Sequence, residues 1–215
     1  FVMLAMSGSV GLHPALAAIS AKKQIGLANK EILVMAGEMI SKLAKEQSVE
    51  LLPVDSEHNA LFQCLRNEPL SSVRRLILTA SGGPFRTKTL EQLEKVSLKE
   101  ALCHPNWSMG PKITVDSSTL LNKGLEMIEA RWLFGIEPER MDVVVHPQSI
   151  VHSLVEYVDG SMLAQLSEPN MVLPIQYAMT YPERKPGLLA PFDFQKFSQL
   201  TFEPPDKEKF LCLQL

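Results

Sequence analysis

Val49-Glu50-Leu51-Leu52-Pro53-Val54-Asp55-Ser56-Glu57-His58-Asn59-Ala60-Leu61-Phe62-Gln63-Cys64-Leu65 decides the class of fold. Val49–Val54 is a short apolar run of strand type, and after a polar turn Ser56–Leu65 reads as a helix. The same order recurs on both sides. Upstream, Met3–Met6 leads through Ser7-Gly8-Ser9-Val10-Gly11 to a helix near Pro14–Ala21, and Ile25–Ala28 leads to a helix over Lys30–Glu46. Downstream, Arg75–Ala80 reads as a buried strand ending in Ser81-Gly82-Gly83-Pro84. Strand, loop and helix repeated in this way predict an α/β fold, a sheet covered by helices, with chemistry where strands end and helices begin.

From Gly82 to Gly110 the pattern loosens, apart from a short helix near Leu90–Val96, and so long an irregular stretch reads as an active-site lid. Ile113–Asp116 then reads as a strand and Ser118–Phe134 as an amphipathic helix with Leu121, Leu125, Ile128 and Trp132 on its apolar stripe. Val143–Val145, Ile150–Tyr157 and Met162–Leu166 are strands, the last two joined by a hairpin turn at Val158-Asp159-Gly160-Ser161. The chain beyond residue 180 is rich in proline and gives no clear element.

With 215 residues, 46% hydrophobic and 21% charged, the chain has the balance of an ordinary globular protein. Its net charge of -3 argues against nucleic acid as a partner. No apolar run is long enough for a membrane helix. Three dispersed cysteines make neither a disulfide framework nor a metal knuckle and suit a reducing compartment. Phe1 lies inside one apolar run and Phe210–Leu215 forms another, so we expect a piece of a longer protein.

Five constellations stand out. Asp55 and Glu57 follow a strand directly: as Asp55-Ser56-Glu57 they either cap the next helix or ligate a metal. Ser118, Asn122, Glu126 and Glu129 form a polar stripe, either solvent-facing or part of a site, with Ser117 at the helix start where backbone N–H groups attract anions. Gly124 weakens that helix by about 1 kcal/mol relative to Ala, so a close neighbour or a ligand is expected there. Ser81-Gly82-Gly83-Pro84-Phe85-Arg86 is a plain turn or a backbone cradle in which Ser81 meets a phosphate. His104-Pro105-Asn106-Trp107-Ser108-Met109-Gly110 puts a Trp and a Met on a loop, tucked into the core or closing over a ligand. Lys30 opens a helix, where the dipole disfavours it. His146 and His152 read as structural histidines.

Joined in one site, Asp55, Glu57 and Glu126 would repel by about 4 kcal/mol per pair at 4 Å and an effective dielectric near 20. A divalent cation removes that cost, and all-oxygen ligands favour Mg²⁺ or Mn²⁺. Ser81, Ser117, Asn122 and Lys123 would then form a neighbouring phosphate pocket.

Six segments occur in an order that resembles one family: Leu27-Ala28-Asn29-Lys30-Glu31, Val54-Asp55-Ser56-Glu57-His58-Asn59-Ala60, Ser81-Gly82-Gly83-Pro84-Phe85-Arg86, His104-Pro105-Asn106-Trp107-Ser108-Met109-Gly110, Asn122-Lys123-Gly124-Leu125-Glu126 and His146-Pro147-Gln148-Ser149. The family is 1-deoxy-D-xylulose 5-phosphate reductoisomerase. The resemblance implies conversion of that sugar phosphate to 2-C-methyl-D-erythritol 4-phosphate in non-mevalonate isoprenoid synthesis, with NADPH and Mg²⁺, Mn²⁺ or Co²⁺. It implies Asp55, Glu57 and Glu126 as metal ligands. It places Ser56, Glu57, Lys30 and His104 on the sugar, with Lys30, Glu57, His104 and Glu126 as the catalytic set. It gives the phosphate to Ser81, Ser117, Asn122 and Lys123, and NADPH to Asn29, Glu31, Gly110 and Met171. Rearrangement by retro-aldol cleavage and recombination, then hydride transfer from NADPH, is the implied route.

The resemblance also implies a homodimer, in the bacterial cytoplasm or, in a eukaryote, a plastid-type organelle. Gly8-Ser9-Val10-Gly11 lacks the dinucleotide-loop spacing. We therefore expect 1–46 to be the end of a Rossmann-type NADPH domain and 47–190 an α+β catalytic, metal-binding and dimerisation domain with a mixed sheet. Residues 191–215 would then be a linker toward a C-terminal helical domain. A metal-dependent sugar-phosphate lyase or isomerase without nicotinamide, and an inactive binding or dimerisation module, are the alternatives.

Overall fold

A computed structural model of the chain describes residues 1–213; Gln214 and Leu215, the end of the apolar terminal run, lie outside the described residues. Two sheets organise it. In the first, β1 (Val2–Leu4), β2 (Ile25–Leu27) and β3 (Leu51–Pro53) are parallel, with β2 central. Thus the first sheet draws its third strand from beyond residue 46. Helices α1 (Leu12–Ser20), α2 (Glu31–Glu46) and α3 (Ser56–Cys64) follow the three strands in turn. Ile19, Ile25, Leu27, Ile32, Leu33 and Ile40 form the core of this unit. Burying each such side chain contributes about 1.5–3 kcal/mol.

The second sheet has the order β5-β4-β6-β7, from β4 (Val73–Ala80), β5 (Met141–Val145), β6 (Val151–Tyr157) and β7 (Met162–Leu166). β4 runs parallel to β5 and antiparallel to β6, which makes the sheet mixed, as expected. Leu61 of α3 and Ala130 of α7 (Leu121–Phe134) pack with Leu76, Leu78 and Val155 as its core. Among the described residues no helix is long and apolar enough to cross a membrane.

The two units meet where α2 bends at Ala36, whose φ of -142° leaves the helical range. A Cβ at Gly37 would overlap the Trp132 indole, and Ser41 Oγ donates to the Trp132 carbonyl at 3.1 Å. Gly37→Ala should therefore destabilise the chain by about 1–3 kcal/mol despite Ala's better helix propensity, because the packed indole has to move. Urea unfolding of the two proteins measures this, and a more stable variant would show that α2 and α7 have slack between them.

Four expectations need correction. Residues 113–116 are not a strand but lie within α6 (Pro111–Ser118). The β-branched run Ile113-Thr114-Val115 is overridden by Pro111 at the first helical position and by the Lys112–Asp116 pair at 2.7 Å, one turn apart. The next helix does not run from Ser118: Leu120 sits in the left-handed region at φ 58° and breaks the chain between α6 and α7. Ser117 consequently lies in the last turn of α6, not at a helix start. On α7 the buried face is the polar one: Lys123, Glu126 and Glu129 are buried, and Ile128 is 40% exposed.

The loose stretch contains two short helices, α4 (Leu90–Leu93) and α5 (Leu98–Ala101), each started by a capping box, Thr89 with Gln92 and Ser97 with Glu100. Neither α5 nor α8 (Val172–Thr180) is expected from the sequence pattern.

Candidate active site

Three strand ends open onto one cavity of about 250 Å³. β2 gives way to Ala28-Asn29-Lys30, β3 to Val54-Asp55, and β4 to Ser81-Gly82-Gly83. Lys30, Asp55, Ser56, Glu57 and Ser81 line the cavity from these ends. Ser117, Asn122, Lys123 and Glu126 line it from either side of the Leu120 break. His104, Trp107 and Met109 cover it, and Met171, just before α8, completes the wall. Eleven residues expected at the metal, sugar, phosphate or nicotinamide thus share one cavity, while Asn29, Glu31 and Gly110 do not line it.

The capping alternative for Asp55 fails on geometry. Asp55 is the N-cap of α3, yet its side chain makes no capping hydrogen bond and pairs instead with Lys30. Glu57 accepts from Ser56 Oγ at 2.6 Å and from Lys123 Nζ at 2.8 Å. Glu126 takes hydrogen bonds from Asn122 and Lys123, and from Lys30 at 3.2 Å. Lys30 Nζ also donates to Asn122 Oδ1 at 2.9 Å. Oxygens of Asp55, Glu57 and Glu126 all lie within 4.8 Å of one another, a donor set that fits a hard divalent cation.

Two buried ammonium groups thus face three carboxylates, leaving one negative charge in excess. Burial works against the charge on Lys123, but Glu126 and Glu57 outweigh it and raise its pKa. Burial likewise disfavours the charge on Lys30, and Asp55, Glu126 and Glu129 reverse this to leave its pKa well above the usual range. Burial also pushes the Glu57 carboxyl up, yet Lys123 and the hydroxyl of Ser56 hold it well below the carboxylate range. For Glu126, burial and the Glu57 charge win over both lysines and push it up to about 7. A metal ion must displace that proton, so Mn²⁺ affinity should rise about tenfold from about pH 6 to about pH 8. Titration calorimetry in a weakly coordinating buffer measures it; a flat profile would show that Glu126 does not bind the ion.

Behind this cluster lie His58, to which the sequence assigns no role, and Glu129, expected only as a member of the polar stripe, both fully buried. His58 Nε2 donates to the Glu126 main-chain oxygen at 2.8 Å, and Nδ1 stands 3.3 Å from Glu129. Asp55, His58 and Glu129 form a second set of donor atoms within 4.8 Å. Their signal in the sequence is weak, because His58 and Glu129 are 71 positions apart.

The roof is tied down by hydrogen bonds. His104 Nδ1 accepts from the Asn106 and Trp107 N–H groups at 3.1 and 3.0 Å, so the neutral ring carries its proton on Nε2 and donates to Ser81 Oγ at 2.9 Å. Burial lowers the His104 pKa, which favours that neutral form. Asn106 Nδ2 donates to Pro147 O at 2.5 Å and Ser149 Oγ at 2.8 Å. Trp107 meets His152 edge-on at 6.4 Å.

Ser149 and His152 line the cavity and were not expected there. His152 also bonds Ser167 Oγ at 2.8 Å, so it is structural and site-lining at once. The available signal was a buried strand, Val151–Tyr157, with polar residues inside it. His146 bonds the Thr201 carbonyl at 2.8 Å and stacks on Phe202, as a structural histidine would.

Known proteins resemble this chain along its length. Family models match over residues 1–37 (1-deoxy-D-xylulose 5-phosphate reductoisomerase), 51–134 (1-deoxy-D-xylulose 5-phosphate reductoisomerase C-terminal domain) and 166–215 (DXP reductoisomerase C-terminal domain). The 1-deoxy-D-xylulose 5-phosphate reductoisomerase of Protochlamydia amoebophila is 64% identical over 214 residues, covering 100% of this chain and 56% of the relative. The chain belongs to the 1-deoxy-D-xylulose 5-phosphate reductoisomerase family.

The reductoisomerase of Clostridium beijerinckii is 56% identical over the whole chain and 55% of the relative. A crystal structure of DOX-P reductoisomerase in complex with NADPH, fosmidomycin and magnesium superposes with a TM-score of 0.94 at 49% identity, covering 99% of this chain and 55% of that one. The reductoisomerase from Zymomonas mobilis in complex with NADPH gives 0.92 at 47% identity, covering 99% of this chain and 55% of that one. The chain spans about half the length of the reductoisomerases it matches. The resemblance carried by six short motifs is thus borne out across the chain, as is the α/β class.

Proposed function

We propose that this chain carries the metal, sugar and phosphate sites of a reductoisomerase that converts 1-deoxy-D-xylulose 5-phosphate to 2-C-methyl-D-erythritol 4-phosphate with NADPH. The observation that carries the reading is the three-carboxylate cluster beside Ser81, Ser117, Asn122 and Lys123 in one cavity. In this reading Asp55, Glu57 and Glu126 hold Mg²⁺, Mn²⁺ or Co²⁺. The ion supplies Lewis acidity that stabilises negative charge on the sugar's oxygens as its carbon skeleton rearranges.

The chain's own groups do the rest. Lys30 turns its ammonium from the carboxylates to a sugar oxygen, and Ser56 and Glu57 orient the chelating end. Ser81 Oγ accepts from His104 Nε2–H at 2.9 Å and from the Gly83 N–H at 3.2 Å, which leaves its own hydroxyl proton for a phosphate oxygen. Lys123 and Asn122 supply a charge and a donor to the same phosphate. Residues 104–109 exclude water, which strengthens every charge interaction beneath them.

Asn29, Glu31 and Gly110 would meet NADPH, with Met171 at its nicotinamide. Asn29 and Glu31 are joined at 2.5 Å, and Glu31 meets Lys112, two residues after Gly110, at 2.8 Å, which supports one shared surface. A second copy is the expected partner. β7 ends its sheet with Met162, Leu163 and Leu166 exposed, the kind of open apolar edge that a partner strand covers. The bacterial relatives favour the bacterial cytoplasm as the compartment.

Fosmidomycin is the direct probe. A related structure holds it together with magnesium, and here it should bind with Mn²⁺ present and at least tenfold more weakly without it. Binding should change Trp107 fluorescence, with Trp107→Phe, which leaves only Trp132, as the control. Metal-independent binding, or no signal from Trp107, would overturn the site or the lid respectively.

A further inference from the structure

We propose that residues 201–213 form a clamp that sets the position of the loop Ser81–Arg86, with Arg86 and Glu203 as its positioning residues. The proposal rests on the reading of that loop as part of the phosphate pocket.

The loop is held on two sides. Gly82 and Gly83 both adopt positive φ, 83° and 64°, and a Cβ on Gly83 would lie 2.5 Å from the Ser117 carbonyl oxygen. The loop therefore sits hard against the end of α6, which presents Ser117. On its other side Arg86 folds back over Gly82, where a Cβ would lie 2.5 Å from Arg86 Cδ and 3.0 Å from Val145 Cγ1. Arg86 does not line the cavity, so it acts on the site only through the loop.

The far segment fixes this fold-back. Arg86 Nη1 donates to both carboxylate oxygens of Glu203, at 2.7 and 2.8 Å, across 117 positions of sequence. Glu203 exchanges backbone hydrogen bonds of 2.9 Å with Val145, the partner of Ala80 on β4 and thus the neighbour of Ser81. Lys209 Nζ, with its side chain only 9% exposed, donates to the carbonyls of Arg86 at 2.7 Å and Lys88 at 3.1 Å. Phe210 is buried with Ala80, Phe85 and Leu120. The Cys212 carbonyl comes so near Gly124 that a Cβ there would lie 2.9 Å from it, which accounts for a glycine inside α7. One segment thus grips both walls of the expected phosphate pocket, and a charge pair closes the grip.

The test uses Glu203→Gln, which keeps size and removes charge, and Glu203→Asp, which keeps charge and shortens the reach. The Glu203 side chain is half-exposed, so folding should survive, and Mn²⁺ affinity in the absence of other ligands checks that the carboxylate cluster is intact. Glu203→Gln should speed amide hydrogen exchange at Gly82, Gly83 and Phe85 about fivefold, weaken Mn²⁺-dependent fosmidomycin binding by a similar factor, and leave Mn²⁺ affinity within about twofold. Glu203→Asp should fall between it and the parent chain. Unchanged exchange in Glu203→Gln would overturn the clamp, and so would a parallel loss of Mn²⁺ affinity, because the effect would then be general loosening. If the parent chain binds Mn²⁺ but not fosmidomycin, the phosphate reading fails by itself, and the exchange rates alone decide whether Glu203 holds the loop.

Discussion

Glu57→Gln should bind Mn²⁺ at least tenfold more weakly than the parent chain, the loss expected when one of three anionic ligands becomes neutral. The variant keeps the shape of Glu57 and its place in the first turn of α3. It removes the carboxylate that Lys123 now holds at 2.8 Å. Two effects follow, and they oppose each other. The ion loses a charged ligand, while Lys123 loses one of its two acidic partners and competes less for the cluster. The first is larger, because a ligand charge acts at bonding distance on a divalent ion. Calorimetric titration of both proteins decides it. Equal affinities would return Glu57 to the plainer role of an acid in a helix's first turn, worth about 0.3–1 kcal/mol through the helix dipole.

Lys123→Gln should destabilise the metal-free chain by about 3 kcal/mol at neutral pH, because it leaves Glu57 and Glu126 without the buried cation between them. Millimolar Mn²⁺ should restore much of that loss by supplying the missing positive charge to the same oxygens. Thermal or urea unfolding with and without Mn²⁺ gives both numbers. A variant as stable as the parent would mean that water or proton uptake by Glu126 already neutralises the cluster. A destabilised variant that gains nothing from Mn²⁺ would place the ion elsewhere, with the Asp55, His58 and Glu129 set as the alternative to test.

The residues that made the fold legible were local ones. Leu51–Pro53 and the polar turn after it are read correctly as strand and helix start because the apolar run and the turn lie within a few positions of each other. Asp55, Glu57 and Ser81 stand out for the same reason, since each ends or follows a recognisable run, whereas His104 lies in the loose stretch and takes its role from the family resemblance. What escaped depends on partners far along the chain. The stripe of Ser118, Asn122, Glu126 and Glu129 reads from spacing alone as either solvent-facing or part of a site, and only Lys30, 96 positions before Glu126, shows which when it is brought against Glu126. Residues 113–115 look like a strand by propensity, and only Pro111 and the Lys112–Asp116 pair turn them into helix. His152 reaches the cavity from β6 and Ser149 from the left-handed turn before it, and single-sequence spacing does not bring either position to the site.

The break at Leu120 has a consequence for which changes of length this chain can accept. Ser117 lies before it and Asn122, Lys123 and Glu126 after it, on two helices whose relative phase is set by that one left-handed residue. Deleting Thr119 would halve the two-residue joint between the helices, so Ser117 and the face carrying Asn122, Lys123 and Glu126 could not both keep their places on the cavity. Side chains here can be exchanged one at a time, but the spacing from Ser117 to Lys123 acts as a fixed gauge, and homologous chains joined at this point would have to keep its length.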